Sequence, residues 1–428
     1  MSVTADWKPH RIFYGWWVVA ACFLISLYTG GVVFYGFTAF FEPLAEKFNW
    51  TYTQISFAAS LRGLEAGLLA PIVGMLVDRW GPRRLLAGGA IITTLGLILL
   101  SRTASLAMFY GAFILLAVGL NACSSTVFMT AVANWFHRKI GIATGIMLCG
   151  YGLSGLLIPL IVRLIDMYGW EKALTILALG LLATCLPLSL LVRHKPEQYG
   201  YQPDDKAPNA TIPNNSVSQA KIPEVDIGIR QVLKTRTFWH ITAAMLCQMV
   251  LLSAVITHVM PYLTSINIDR TRASIIAGAI PLTSIVGRIG LGWLGDRFDK
   301  RRMIATAFAM ISGGLLCFAI ASPRAIWLLT LFLIFFGVGY GGNNTLRASV
   351  ISEYFGRNNF GAIHGFVLSI MALGGVASPP LAGWVFDNWK TYRPVWFAFA
   401  ALAIVAVLTA MTIPPVNSKN KPVDKTLT

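Results

Sequence analysis

Charge is scarce in this sequence. Only 12% of its 428 residues are Asp, Glu, Lys or Arg, about half the share of an average soluble domain, while 56% are hydrophobic. That excludes a large soluble helical protein, whose surface would need far more polar faces. Acid is scarcer than base, with 18 Asp and Glu against 34 Lys and Arg and a formal net charge of +16. Cysteine is sparse too. Cys22, Cys123, Cys149, Cys185, Cys247 and Cys317 all fall inside apolar stretches without metal or disulfide spacing, so they read as small packing residues. No metal and no cofactor is expected. The sequence also lacks an evident nucleophile, metal cluster or interfacial acid pair, which argues against a membrane enzyme. Nor is a cleavable leader expected, because the first apolar run, Phe13–Phe41, is too long for a signal peptide.

What the chain does have is long apolar runs, twelve in two groups of six. Most reach the ~20 residues a helix needs to cross ~30 Å of hydrocarbon. The expected fold is an all-α membrane protein of twelve transmembrane helices in two six-helix bundles. Residues 1–12 form a leader, 13–192 the first bundle, 193–236 a linker, 237–415 the second bundle and 416–428 a tail. The linker contains "HKPEQYGYQPDDKAPN" and is too rich in Pro, Asn, Asp and Lys to bury a core. Most basic residues fall in the termini and the even-numbered connections. The positive-inside rule therefore puts both termini and the linker in the cytoplasm. The positive charge is then a topology signal; the expected partner is a lipid bilayer, and nucleic acid is not expected.

The two halves repeat each other. "FFEPL" ending the first run matches "VMPYL" ending the seventh. "GMLVDRWGPRR" after the second run matches "GWLGDRFDKRR" after the eighth, which pairs Gly74 with Gly292, Asp78 with Asp296, Arg79 with Arg297 and Arg83 with Arg301. Gly141, Gly145, Gly155 and Pro159 match Gly361, Gly365, Gly375 and Pro379. Two parallel six-helix repeats point to a pseudo-twofold bundle with a site between the halves. Glycines permit close helix contact, and Asp and Arg at a helix end can form a charge network that holds one packing of the halves. With two such loop motifs, the chain resembles the major facilitator superfamily over essentially its whole length. The resemblance implies alternating access around a central solute site, in a plasma membrane of bacterial inner-membrane type, by a protein that works as a monomer.

One arginine stands out. Arg288 lies eight residues before Asp296, about 12 Å from the helix end. An arginine near mid-bilayer costs about 2.5–3.5 kcal/mol unless paired or hydrated. The only embedded acid is Glu65, and Arg62, three residues away, has the spacing of a same-face helix pair with it. Arg288 is then left over, as a cation for an anionic solute.

A narrower resemblance points the same way. "FYGWWVV" (Phe13–Val19) looks like the opening signature of monocarboxylate transporters, and Arg288 matches their substrate arginine and that of bacterial oxalate/formate antiporters. "YGFTAFFEP", "GYGLSG" and "GVGYGGNN" also look like the antiporter group, which implies site roles for Tyr340 and Asn344. Ser284 stands where mammalian carriers have an aspartate, and Met371 where the antiporters have a second cation, a lysine. One buried cation suits one carboxylate, so a monocarboxylate is expected. Tyr35, Tyr151, Asn121 and Ser284 complete the candidate contacts. Glu65 and His258, the latter near the outer end of the seventh run, are the proton-coupling candidates. Arg347 is expected to snorkel or pair with Glu353 and is not counted as a ligand. The expected function is proton-coupled monocarboxylate symport, with carboxylate exchange or export of other organic anions as alternatives.

Overall fold

The structure, a computed structural model, describes residues 13–136, 139–194, 196, 229–355 and 360–414. The expected leader and tail and nearly all of the linker lie outside the described residues. What is described is almost entirely helical, with twelve long helices joined by short turns and preceded in the second half by a single turn at Ile229–Val232. The first half holds α1 (Gly15–Phe48), α2 (Tyr52–Trp80), α3 (Pro82–Ser101), α4 (Leu106–Trp135), α5 (Ile140–Tyr168) and α6 (Trp170–Leu191). The second half holds α7 (Arg236–Ser265), α8 (Arg270–Arg297), α9 (Lys300–Ile320), α10 (Trp327–Phe332 continued by Val338–Phe355), α11 (Phe360–Trp389) and α12 (Arg393–Met411).

Among the described residues, ten helices are long and apolar enough to cross a membrane, so the protein is an integral membrane protein. α2 and α10, each of which includes side chains outside the described residues, are not among the ten. They are the helices that carry Arg62 and Glu65, and Asn343, Asn344 and Arg347.

Local signals set the helix ends. Thr51 Oγ1 accepts from the Gln54 N–H while Gln54 Oε1 accepts from the Thr51 N–H, a reciprocal cap that starts α2. Gly81, at φ 79°, turns α2 into α3 in a conformation open to glycine. Asp269 and Asp299 cap α8 and α9. Large apolar side chains such as Ile289, Leu179 and Leu408 stay exposed on the outer surface, as a hydrocarbon solvent requires.

Within the halves α3 packs on α4 and α6, α7 on α11, and α9 on α12; the halves meet where α2 lies on α11 and α5 crosses α8. At the α5–α8 crossing Gly155 and Gly278 face each other so closely that a methyl group on either would overlap the other's carbonyl oxygen. Small residues let membrane helices approach like this.

Four helices are interrupted. α1 widens into a π turn at Gly30–Tyr35 and tightens at Gly36–Phe40, α4 breaks at Cys123 and Ser124, α5 tightens at Ser154–Leu156, and α10 has a π turn at Leu333–Gly337. Such turns cluster at functional sites.

Candidate solute site

Between the halves lies a cavity of about 980 Å³. Phe34, Asn121 and Tyr151 line it from the first half, and Met249, Tyr340 and Met371 from the second. Arg62 and Arg347 face it from opposite halves, together with His364. No Asp or Glu is among its described wall residues.

Near the face opposite the termini, hydrogen bonds and an ion pair tie the halves together. The Asp387 carboxylate on α11 accepts from the Tyr52 N–H (2.9 Å), the Thr53 N–H (2.9 Å) and the Thr53 hydroxyl (2.6 Å) at the start of α2. Arg270 pairs with Asp166 at 3.3 Å and donates to the Ala39 carbonyl at 2.9 Å. The Thr264 hydroxyl donates to Glu42.

His258 belongs to this seal. Its Nε2 lies 2.9 Å from the Pro379 carbonyl and 3.0 Å from Ser56 Oγ, and its Nδ1 lies 3.0 Å from Tyr392 Oη. A carbonyl only accepts, so Nε2 carries a proton, and in the neutral ring Nδ1 then accepts from the tyrosine. His258 is fully buried. The seventh helix extends a further two turns beyond it.

The termini face is built differently, and the charge pairs described there stay within the second half. Arg301 grips Asp299 and donates to the Ile413 carbonyl at 2.9 Å, and Lys300 pairs with Glu353 at 2.7 Å. The guanidinium of Arg301 holds the Asp299 carboxyl below its ordinary range. Arg297 lies over the Trp293 ring at 3.8 Å, while Arg79, Arg83 and Asp296 are exposed. Gly74 has open space beside it, and Gly292 packs on Thr345 of its own half. The Asp78 side chain lies outside the described residues. The loop motif is thus present in both halves, and the pairs formed by its Arg301 and neighbouring Lys300 brace one half internally.

Two expected pairings are not formed. Arg62 does not hold Glu65. Its Nη1 donates to the Val33 carbonyl at 2.6 Å and its guanidinium sits 4.8 Å from the Phe34 ring centre, leaving Glu65 Oε2 buried without a hydrogen-bond partner. Arg347 does not pair with Glu353, which Lys300 has taken. Instead Arg347 turns into the cavity, with Nη1 3.7 Å from the Met371 sulfur and a buried Nε that has no partner. A guanidinium therefore stands beside the position where the sequence lacks a lysine.

The remaining candidates divide. Tyr151, Tyr340 and Asn121 line the cavity. Tyr35 does not, but its hydroxyl is 3.3 Å from that of Tyr340. Arg288 is not a wall residue either. It lies within electrostatic reach of the Tyr35 hydroxyl, its Nη1 reaches the Leu148 carbonyl of α5 only at 3.5 Å, and its Nε is buried without a partner. Asn344 accepts from Gln248 Nε2 at 3.3 Å. Ser284 is buried against α10, where Gly341 packs on its backbone, and its hydroxyl turns back to the Pro281 carbonyl. Ser284 thus faces a helix and not the solute space.

Sequence reasoning passed over Arg62, Arg347 and His364 as site residues. A signal existed for one of them. Tyr340, Asn344 and Arg347 follow the i, i+4, i+7 spacing of one helix face, so a cavity role for Tyr340 already points to Arg347.

A sequence profile described as the Major Facilitator Superfamily matches residues 19–268 and 253–427. Monocarboxylate transporter 12-B of Danio rerio is 26% identical over 94% of this chain and 87% of its own length. Monocarboxylate transporter 2 of Homo sapiens is 24% identical over 92% and 84%. Among solved structures, an inward-facing, occupied bacterial homologue of the human lysosomal transporter Spinster superposes with a TM-score of 0.72 at 13% identity, covering 94% of this chain and 97% of that one. The nucleoside transporter NupG gives 0.73 at 14%, covering 94% and 99%. These relatives are transporters, not enzymes.

Proposed function

Because this chain belongs to the Major Facilitator Superfamily, and is therefore a membrane transporter, we propose that its solute is a small monocarboxylate, moved with a proton by alternating access. All twelve helices cross the bilayer, with the termini and the linker in the cytoplasm. The cavity then opens inward, and the Asp387 and His258 contacts form the closed outer gate.

The observation that carries the proposal is Arg288. It is a cation in a membrane helix, with a buried Nε that lacks a partner and an Nη1 that makes only a long contact. In hydrocarbon such a group needs a counter-charge, and a carboxylate matches its paired donors. The Tyr35–Tyr340 hydroxyl pair, whose Tyr340 lines the cavity, offers further donors. The monocarboxylate transporters at about a quarter identity support the same solute class.

For the proton, Glu65 fits better than His258. A buried carboxyl oxygen without a partner favours the neutral, protonated acid. His258 has both ring nitrogens engaged in the gate.

Labelled lactate or pyruvate uptake into proteoliposomes tests this. An inward proton gradient drives uptake without internal anion, and Arg288→Ala abolishes it in folded, inserted protein. Arg288→Lys rescues poorly, because lysine lacks the bidentate fork. Uptake that needs a preloaded carboxylate and ignores the pH gradient identifies an exchanger instead, and normal transport by Arg288→Ala overturns the arginine role.

A further inference from the structure

The cavity wall holds two guanidinium groups that the monocarboxylate reading does not use. Arg62 comes from α2 in the first half and Arg347 from α10 in the second. Neither has an acidic partner among the described residues. Arg62 leans on a carbonyl and an aromatic ring, and Arg347 on a thioether sulfur, a weak acceptor, with its Nε unpaired. His364 also lines the wall, within electrostatic reach of Arg347. A cavity with two fixed cations and no acid among its described wall residues is short of negative charge, and an entering anion can compensate both.

We propose that Arg62 and Arg347 form a second anionic subsite, distinct from Arg288, and that the protein accordingly prefers solutes with two anionic groups, such as short α,ω-dicarboxylates. This widens the monocarboxylate reading to carboxylates with a second anionic group and rests on its claim that the solute is a carboxylate. The two arginines ride on different halves, so a solute that engages both ties the halves together. It also removes the repulsion between two like charges that must approach when the inner side closes. One ligand then neutralises the cavity and permits closure.

Isothermal titration of the purified full-length protein at pH 7.5 tests the proposal with length-matched pairs, succinate against butyrate and malonate against propionate. The expected result is at least tenfold tighter binding of each dicarboxylate. Arg347→Gln weakens each dicarboxylate at least tenfold more than its matched monocarboxylate, and Arg62→Gln does the same from the other half. Arg347→Lys, which keeps the charge, retains part of the preference and serves if the glutamine variant does not fold. Equal binding within each pair in the unaltered protein, or an equal loss of both classes in Arg347→Gln, overturns the subsite and leaves the monocarboxylate reading standing. If neither class binds the unaltered protein, both fall together.

Discussion

At the scale of single residues, the decisive facts concern partners rather than positions. Glu65 has an arginine three residues away, yet its Oε2 is buried without a hydrogen bond because the Val33 carbonyl, set in the π turn of α1, has taken the Arg62 N–H. If Glu65 carries the coupling proton, Glu65→Gln fixes the neutral form. Uptake driven by a proton gradient then falls to background, while exchange of internal for external carboxylate persists; equal loss of both measures a structural role instead. The places of Arg62, Glu65, Arg288 and Arg347 inside apolar runs were legible in the sequence, since charge in such runs stands out. Their pairing was not. Helical spacing says which side chains share a face, but Arg62 and Arg347 found acceptors on other helices, and cross-helix contacts are set by packing.

At the scale of elements, the helices themselves were legible from run length, and the repeat foretold which of them correspond. The π turns were not, because a turn wider by one residue leaves no mark on composition. The seal at the start of α2 depends on one carboxylate taking three bonds. Asp387→Asn cannot accept all three, and each hydrogen bond to a charged group is worth about 1.5–3 kcal/mol. The variant shifts toward the state open on the opposite face. Spin labels at Asn49 and Asn388 report this as a new long-distance component, and an unchanged distribution shows that the other contacts suffice.

The cap of α9 carries a pH signature. Asp299 is held below the ordinary carboxylate range by Arg301, so it contributes stability above its unfolded value, near 3.9, and loses it as pH falls through the folded one. Asp299→Ala therefore lowers the melting temperature at pH 7, with about 1 kcal/mol from the lost cap. Its deficit against the unaltered protein shrinks at pH 3. A deficit that is the same at both values shows that the ionised form adds nothing.

At the scale of the whole molecule, the two-bundle plan and the site between the halves were legible from the repeat, whereas the state of the gate was not, since both states use one sequence. With the bonds of Asp387, His258 and Arg270 closing the far side, Ser125→Cys on the cavity wall reacts with an impermeant maleimide supplied from the termini side and is protected from the other; labelling from the far side alone reverses the assignment. A wall with no acid among its described residues has an electrical consequence. Empty, the cavity carries two guanidinium charges, one on each half, and a charge that moves through the membrane field gains about 2.3 kcal/mol per 100 mV. An inside-negative potential draws those charges inward and favours the unloaded carrier with its mouth to the cytoplasm. An anion that neutralises them uncouples the carrier from that voltage. Membrane potential then acts as a restoring spring on the empty protein, and the solute is what slackens it.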